Sequence, residues 1–145
     1  MTPTYRYLEE IATADIAFEA WGATKEETFL AAADATLNTM VEDIGTIVPL
    51  ERRVFSLAAD SLDLLLFEFL QELVYHKDAD RLLLRVRDLR IEETGSGYRL
   101  HADAIGETID PGRHALLADV KAVTLHRLSV EKTPTGWGAV VVLDV

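Results

Sequence analysis

The fold of this chain is organised around residues 13–22, TADIAFEAWG, taken together with its last two residues, Asp144 and Val145. Asp15 stands directly before an alternating pattern over residues 16–21 that is typical of a β-strand, and Asp144 ends another such pattern. Antiparallel strands place the start of one beside the end of its neighbour. If these two strands pair, both aspartates and the terminal carboxylate meet at one sheet edge. A hard divalent cation prefers an all-oxygen, negatively charged cluster of this kind.

The same residues also allow a purely structural interpretation. A single aspartate at the start of a strand, such as Asp15, is a common turn or capping residue. Asp144 would be a solvated chain end if the terminus were loose, as most termini are. The apolar run over residues 139–143 favours a terminus held in the core sheet. From the residues alone, both interpretations stay open.

Length and composition predict a soluble protein of one domain. The chain has 145 residues, so we expect a single domain over residues 1–145. No segment reaches the apolar length of a membrane span, and the first ten residues lack the apolar run of a signal peptide. The chain has no cysteine, which excludes disulfides and thiolate chemistry. We therefore expect a cytoplasmic protein with no membrane partner, and its oligomeric state stays open.

The charge of the chain bears on its partners. Asp and Glu number 25 against 14 Lys and Arg, for a formal net charge of −11. Because nucleic-acid affinity depends on cations that neutralise phosphates, direct nucleic-acid binding is not expected. An acidic protein is suited to docking on a basic protein surface. The alternative is that the charge only keeps a small domain soluble.

The first part of the chain predicts two strands followed by a helix. Residues 5–11 read as a short strand, and residues 16–21 alternate as a second one. Thr24 and Glu27 have the spacing of a capping box, so a helix is expected to begin there and to end before Gly45.

A third strand over residues 50–59 leads into a second helix that Asp60 or Ser61 caps. The apolar stripe of this helix is wider than a surface helix needs, so we expect it to be the most deeply packed element. The stripe contains Leu62, Leu65, Leu66, Phe69, Leu70 and Leu73, widened by Leu64 and Phe67.

The remainder of the chain returns to strand patterns. Residues 82–92 and 98–105 predict a hairpin closed by a glycine-containing loop. Residues 109–119 predict a loop, residues 120–130 a further strand, and residues 137–145 the last strand. Because strands occur in runs rather than in strict alternation with helices, the predicted class is α+β. We expect a mostly antiparallel sheet with two helices packed on one face.

Common catalytic motifs are missing from the sequence. The four histidines lack zinc-site spacing, and the chain has neither a GxSxG nucleophile elbow nor a phosphate-binding P-loop. Lys121 stands out because it lies in the otherwise apolar segment DVKAVTLH. It is either an edge-strand lysine that extends its ammonium group to solvent or a residue that faces a partner or an anion.

Four segments resemble the archease family, in the order and spacing that the family shows. They are TADIAFEAWG, LLLFEFLQELVYHKDAD, GRHALLADVKAVTLHRLSV and VVVLDV, and the resemblance spans essentially the whole chain. It implies a small accessory protein of RtcB-type RNA ligases, which join RNA ends in tRNA splicing and RNA repair. It also implies that the protein promotes guanylylation of the ligase with GTP and multiple turnover, without being an enzyme itself.

The resemblance assigns roles to five residues. Asp15, Asp144 and Val145 match the family's metal-binding positions, with calcium as the expected cation and magnesium or manganese as alternatives. Lys121 matches the functional lysine of the VKAxT motif, and His114 matches the histidine before it.

The chain departs from the family at one position. Ala12 stands where the family commonly has histidine, which puts in doubt any role of that imidazole in orienting the metal or the partner. Two other function classes stay open: a stand-alone metal-dependent hydrolase that uses the same carboxylates, and a general chaperone or assembly factor.

Overall fold

The computed structural model describes residues 4–8 and 15–145. Within these ranges the chain forms eight strands and two α-helices, with a short 3-10 helix at Ile44–Thr46. In chain order the elements are β1 (Tyr5–Tyr7), β2 (Asp15–Gly22), α1 (Lys25–Met40), β3 (Glu51–Ala59), α2 (Leu62–Asp80), β4 (Leu82–Thr94), β5 (Gly97–Thr108), β6 (Ala122–Val123), β7 (Ser129–Thr133) and β8 (Gly136–Asp144). In the described ranges, no helix combines the length and the apolar character needed to cross a membrane.

The strands form two antiparallel sheets. The larger has the order β1-β2-β8, and both β6 and β7 pair with β8. The smaller has the order β3-β5-β4. Each helix contacts strands of both sheets, so the helix pair joins them. The predicted α+β class with two helices is confirmed, and the strands divide between two sheets instead of forming one.

Helix α1 begins where its capping box predicts. The Thr24 hydroxyl accepts a hydrogen bond from the Glu27 amide at 3.1 Å, and the Glu27 carboxylate accepts from the amides of Ala23 and Thr24. These bonds satisfy amide groups that the first turn of a helix leaves free. The helix ends at Met40, before Gly45 as expected.

Helix α2 is capped by Ser61, one of the two predicted residues, but the prediction about its packing is wrong. Ten of the 16 residues of α1 are buried, against seven of 19 in α2, and Leu64 of the predicted stripe is exposed. The alanine-rich sequence of α1 lets strands approach closely on several sides, which a hydrophobicity count does not detect.

The pairing of β2 with β8 is confirmed residue by residue. Asp15 lies opposite Asp144, and the register continues to Gly22 opposite Trp137. Side chains of directly opposed residues project on the same face of a sheet. Phe18 and its partner Val141 are fully buried in the core that the helices share. Since side chains alternate, the two aspartates project from the other face.

The predicted strand over residues 120–130 is wrong. Only Ala122–Val123 and Ser129–Thr133 are strands, and both pair with the same edge of β8. Arg127 between them has a φ of 55°, a left-handed conformation that cannot continue a strand. Of the strand predicted over residues 5–11, Tyr5–Tyr7 is confirmed and Leu8 is not part of the strand; residues 9–11 lie outside the described residues.

Candidate metal and partner site

Two aspartates from opposite ends of the chain meet at one end of the larger sheet. Asp15 opens β2, Asp144 closes β8, and the two are direct partners in the antiparallel register. The Cβ atoms of such partners are about 4.5–5.5 Å apart, with both side chains on one face. Both residues are half-buried. The carboxylates are therefore close together and reachable from solvent.

The end of the chain is held in place rather than loose. The Val145 side chain packs against the hydrophobic core. The Asp144 carbonyl accepts a hydrogen bond from the Lys121 amide at 2.8 Å, and Ala122 pairs with Asp144 on the edge away from Asp15. Asp144 thus lies between two segments, and the terminal carboxylate follows it at a position that packing fixes.

The donor set suits a hard cation. Two side-chain carboxylates and one terminal carboxylate offer only oxygen, which calcium and magnesium prefer over nitrogen or sulfur. Among the described residues, no group of three or more His, Cys, Asp or Glu side chains has metal-binding geometry. Calcium takes about 6–8 oxygen ligands, so a cation at these groups would need further ligands from water or a partner. Ala12, where the family's histidine is missing, lies outside the described residues.

Lys121 joins this end of the sheet through its backbone. Its amide binds the Asp144 carbonyl, and its side chain is exposed. The preceding residues, Asp119 and Val120, are held by Lys77 of α2, which is only 6% exposed. The Lys77 Nζ donates to Asp119 Oδ1 at 2.5 Å and to the Val120 carbonyl at 2.7 Å.

The Lys77 ammonium group is also 2.5 Å from Asp78 Oδ1. Burial by itself lowers the pKa of Lys77, but the hydrogen bonds to Asp119 and Asp78 outweigh that effect and raise it above its usual value. Lys77 therefore stays charged in a largely buried position.

Sequence reasoning missed this anchor and two others on the same helix. The Gln71 side chain accepts from the Val123 amide at 3.0 Å, and the Asp63 side chain accepts from the Val130 amide at 2.8 Å. A signal for Lys77 was present, since it follows Leu73 by four residues on the buried stripe of an amphipathic helix. A lysine at such a position needs acceptors to be stable there.

The structure places His114 in a different cluster. Its imidazole is buried. Nδ1 accepts a hydrogen bond from the Asp110 amide at 2.9 Å, and Nε2 lies 3.1 Å from Glu107 Oε2. Because Nδ1 accepts a hydrogen bond, Nε2 carries the hydrogen, and this N–H donates a hydrogen bond to the Glu107 carboxylate. Neither Asp15 nor Asp144 is among these partners, and the two bonds connect His114 to the end of β5 and to the loop that follows it.

Glu107 is the centre of that cluster. Its buried carboxylate also accepts from the Val48 amide at 2.6 Å and forms an ion pair with Arg113. The hydrogen bond from Arg113, helped by the bonds from Val48 and His114, lowers the pKa of Glu107 to about 2 against the desolvation that raises it. The cluster ties the loop to the end of the smaller sheet.

The comparisons with known proteins agree along nearly the whole chain. Residues 5–145 match the model of the archease protein family. The chain belongs to the archease family. It is 37% identical to the protein archease of Pyrococcus abyssi over 134 residues, covering 92% of this chain and 94% of the relative. It is 40% identical to the protein archease of Thermococcus gammatolerans with the same coverage.

Two solved structures share the fold of this archease family member. The solution structure of Methanobacterium thermoautotrophicum protein 1598 has a TM-score of 0.85 and 30% identity, covering 99% of this chain and all of that one. The crystal structure of an archease from Thermotoga maritima, described as a possible chaperone, has a TM-score of 0.61 and 20% identity over 92% of this chain and 93% of that one. The second likeness shows the fold alone.

Proposed function

We propose that this chain is an accessory protein of an RtcB-type RNA ligase. It promotes guanylylation of the ligase with GTP and so supports repeated turnover in tRNA splicing or RNA repair. Family membership over residues 5–145 supports the proposal. The observation that carries it is the register in which Asp15 and Asp144 are direct partners beside Lys121.

Asp15, Asp144 and the terminal carboxylate of Val145 hold a divalent cation, calcium first and magnesium or manganese as alternatives. When bound, the cation supplies positive charge that attracts phosphate oxygens. The chain's own residues fix where this charge lies, because strand pairing sets the spacing of the two aspartates. Lys121 lies on the adjacent segment and its side chain is exposed. Its ammonium group contacts the ligase or the phosphates of the GTP that the ligase uses.

Charge complementarity favours a basic protein as the partner. The net charge is −11, and opposite potentials speed the encounter of two proteins. RNA then contacts the ligase rather than this chain, because phosphates and an acidic surface repel each other.

The test is RNA ligation by the cognate ligase at limiting ligase concentration, with and without this protein. Asp15→Asn and Asp144→Asn remove a charge from the site while keeping the shape of the side chain. We expect both variants to lose the stimulation. Asp88→Asn is the matched control, since Asp88 is an exposed acidic residue on β4 of the other sheet.

Circular dichroism is the control that checks whether all three variants fold. Full stimulation by Asp15→Asn and Asp144→Asn would remove the site from the mechanism. The same assay distinguishes the proposed accessory protein from a general chaperone, because the stimulation by a chaperone would not depend on Asp15. A hydrolase would turn over a phosphoester in the absence of any ligase.

A further inference from the structure

A second site lies at the opposite end of the same strand pair. A pocket of about 470 Å³ opens beside Gly22 and Trp137, where β2 ends and β8 begins. Asp15 is seven residues away along β2, which is roughly 24 Å at the rise of an antiparallel strand. The pocket is therefore separate from the Asp15–Asp144 pair, and nothing in the proposed ligase function uses it.

The pocket combines indole rings with carboxylates. Trp21 and Trp137 line it, and they are the only two tryptophans of the chain. Leu30, Glu27 and Asp34 of α1 also line it. Trp21 is 40% exposed, so much of its surface does not contribute to the core. We call this site the tryptophan pocket.

Asp34 is an acceptor whose burial is not fully compensated. Desolvation raises the pKa of its half-buried carboxyl, despite the opposing effect of Arg85, whose Nε lies 3.5 Å from Oδ1. The Arg85 side chain is 46% exposed, and ion pairs of this kind are weak. Glu27, in contrast, already uses one carboxylate oxygen in the cap of α1. Asp34 is therefore the pocket carboxylate that has no role in a helix cap, and its side chain is 28% exposed.

Trp137 already interacts with a cation. The Lys25 ammonium group lies 5.5 Å from the centroid of its ring, within the distance at which a positive charge is attracted to an indole face. The pocket therefore has two features that recognise cations, an indole pair and a carboxylate. Each already has one cationic neighbour in the protein itself, the half-buried Lys25 at Trp137 and the exposed Arg85 at Asp34.

We propose that the tryptophan pocket binds an arginine side chain of a basic partner protein. A guanidinium group can stack on an indole and form two parallel hydrogen bonds with a carboxylate, whereas an ammonium group is a point charge that does neither as well. The net charge of −11 favours a basic surface around that arginine. A ligand that contacts Asp34 and an indole together replaces two separate weak contacts.

The test uses intrinsic fluorescence, because both tryptophans of the chain line the pocket. The probes are three blocked tripeptides, Ala-Xaa-Ala, with arginine, lysine or citrulline at the centre. Citrulline has nearly the shape of arginine without its charge. We expect saturable quenching by the arginine probe with a Kd on the order of 1 mM. The lysine probe should bind several-fold more weakly, and the citrulline probe should not saturate.

Variants of the protein separate the pocket from general charge attraction. Asp34→Asn should weaken the arginine probe about tenfold, while the control Asp88→Asn, with the same change in net charge, should not. Arg85→Gln should tighten binding, since it removes the internal competitor for Asp34. Equal quenching by arginine and citrulline, equal losses in the two Asp→Asn variants, or weaker binding by Arg85→Gln would each overturn the proposal.

Discussion

Replacing Lys77 by methionine tests how the segment before Lys121 is held. The substitution keeps most of the length and apolar surface of the side chain but removes all the hydrogen bonds of its ammonium group. Asp119 and Asp78 can turn to water, since their side chains are 71% and 55% exposed. The Val120 carbonyl loses its Lys77 donor in a place where the residue is fully buried.

The magnitude follows from these three contacts. A buried acceptor left without a donor costs about 1–3 kcal/mol, and each ion pair to an exposed carboxylate adds about 0–1 kcal/mol. We therefore expect Lys77→Met to lower the free energy of unfolding by about 2–3 kcal/mol. For a chain of this size, that corresponds to a fall in Tm of roughly 4–10 °C.

The assay is urea and thermal unfolding followed by circular dichroism, with Lys132→Met as the control because Lys132 is an exposed lysine on β7. Ligase stimulation is measured below the melting transition, and we expect it to fall because the backbone that positions Lys121 is no longer anchored. If Lys77→Met unfolds at the same urea concentration as wild type, the described role of Lys77 is wrong.

Three further predictions concern other parts of the chain. The pKa of Glu107 is lowered from 4.5 to about 2, chiefly by Arg113, so its contribution to stability is complete above pH 4.5 and is lost as the pH falls toward 2. Glu107→Gln should therefore be less stable than wild type at neutral pH, with a difference that shrinks in urea titrations at progressively lower pH. Gly106→Ala should destabilise the smaller sheet by several kcal/mol in the same titration, because a Cβ there would overlap the Leu83 carbonyl of β4; an unchanged midpoint would contradict the described register. In calorimetric titration with calcium, Asp15→Asn should bind about tenfold more weakly than wild type, and equal affinity would exclude Asp15 as a ligand.

The sequence was sufficient to predict the strand pair that brings the aspartates together. The alternation over residues 16–21 and the apolar run over residues 139–143 each indicate a buried strand. Pairing these two strands in the observed register places their apolar side chains on the same face of the sheet. The capping box at Thr24 was equally readable, because its two hydrogen bonds depend only on local spacing.

The segment over residues 120–130 was not predictable in the same way. Its β-branched residues favour a strand, yet the left-handed Arg127 divides it, and side chains of α2 accept from the amides of Val123 and Val130. These are long-range contacts that no local pattern encodes. Likewise, nothing in the residues around His114 indicates that its imidazole contacts Glu107 and Asp110.

The most direct measurement is the rate at which a cognate RtcB-type ligase becomes guanylylated by labelled GTP in a single turnover. We expect faster guanylylation with the wild-type protein and with Asp88→Asn, and the unassisted rate with Asp15→Asn or Asp144→Asn. Acceleration by the Asp15 and Asp144 variants equal to that of wild type would contradict this expectation.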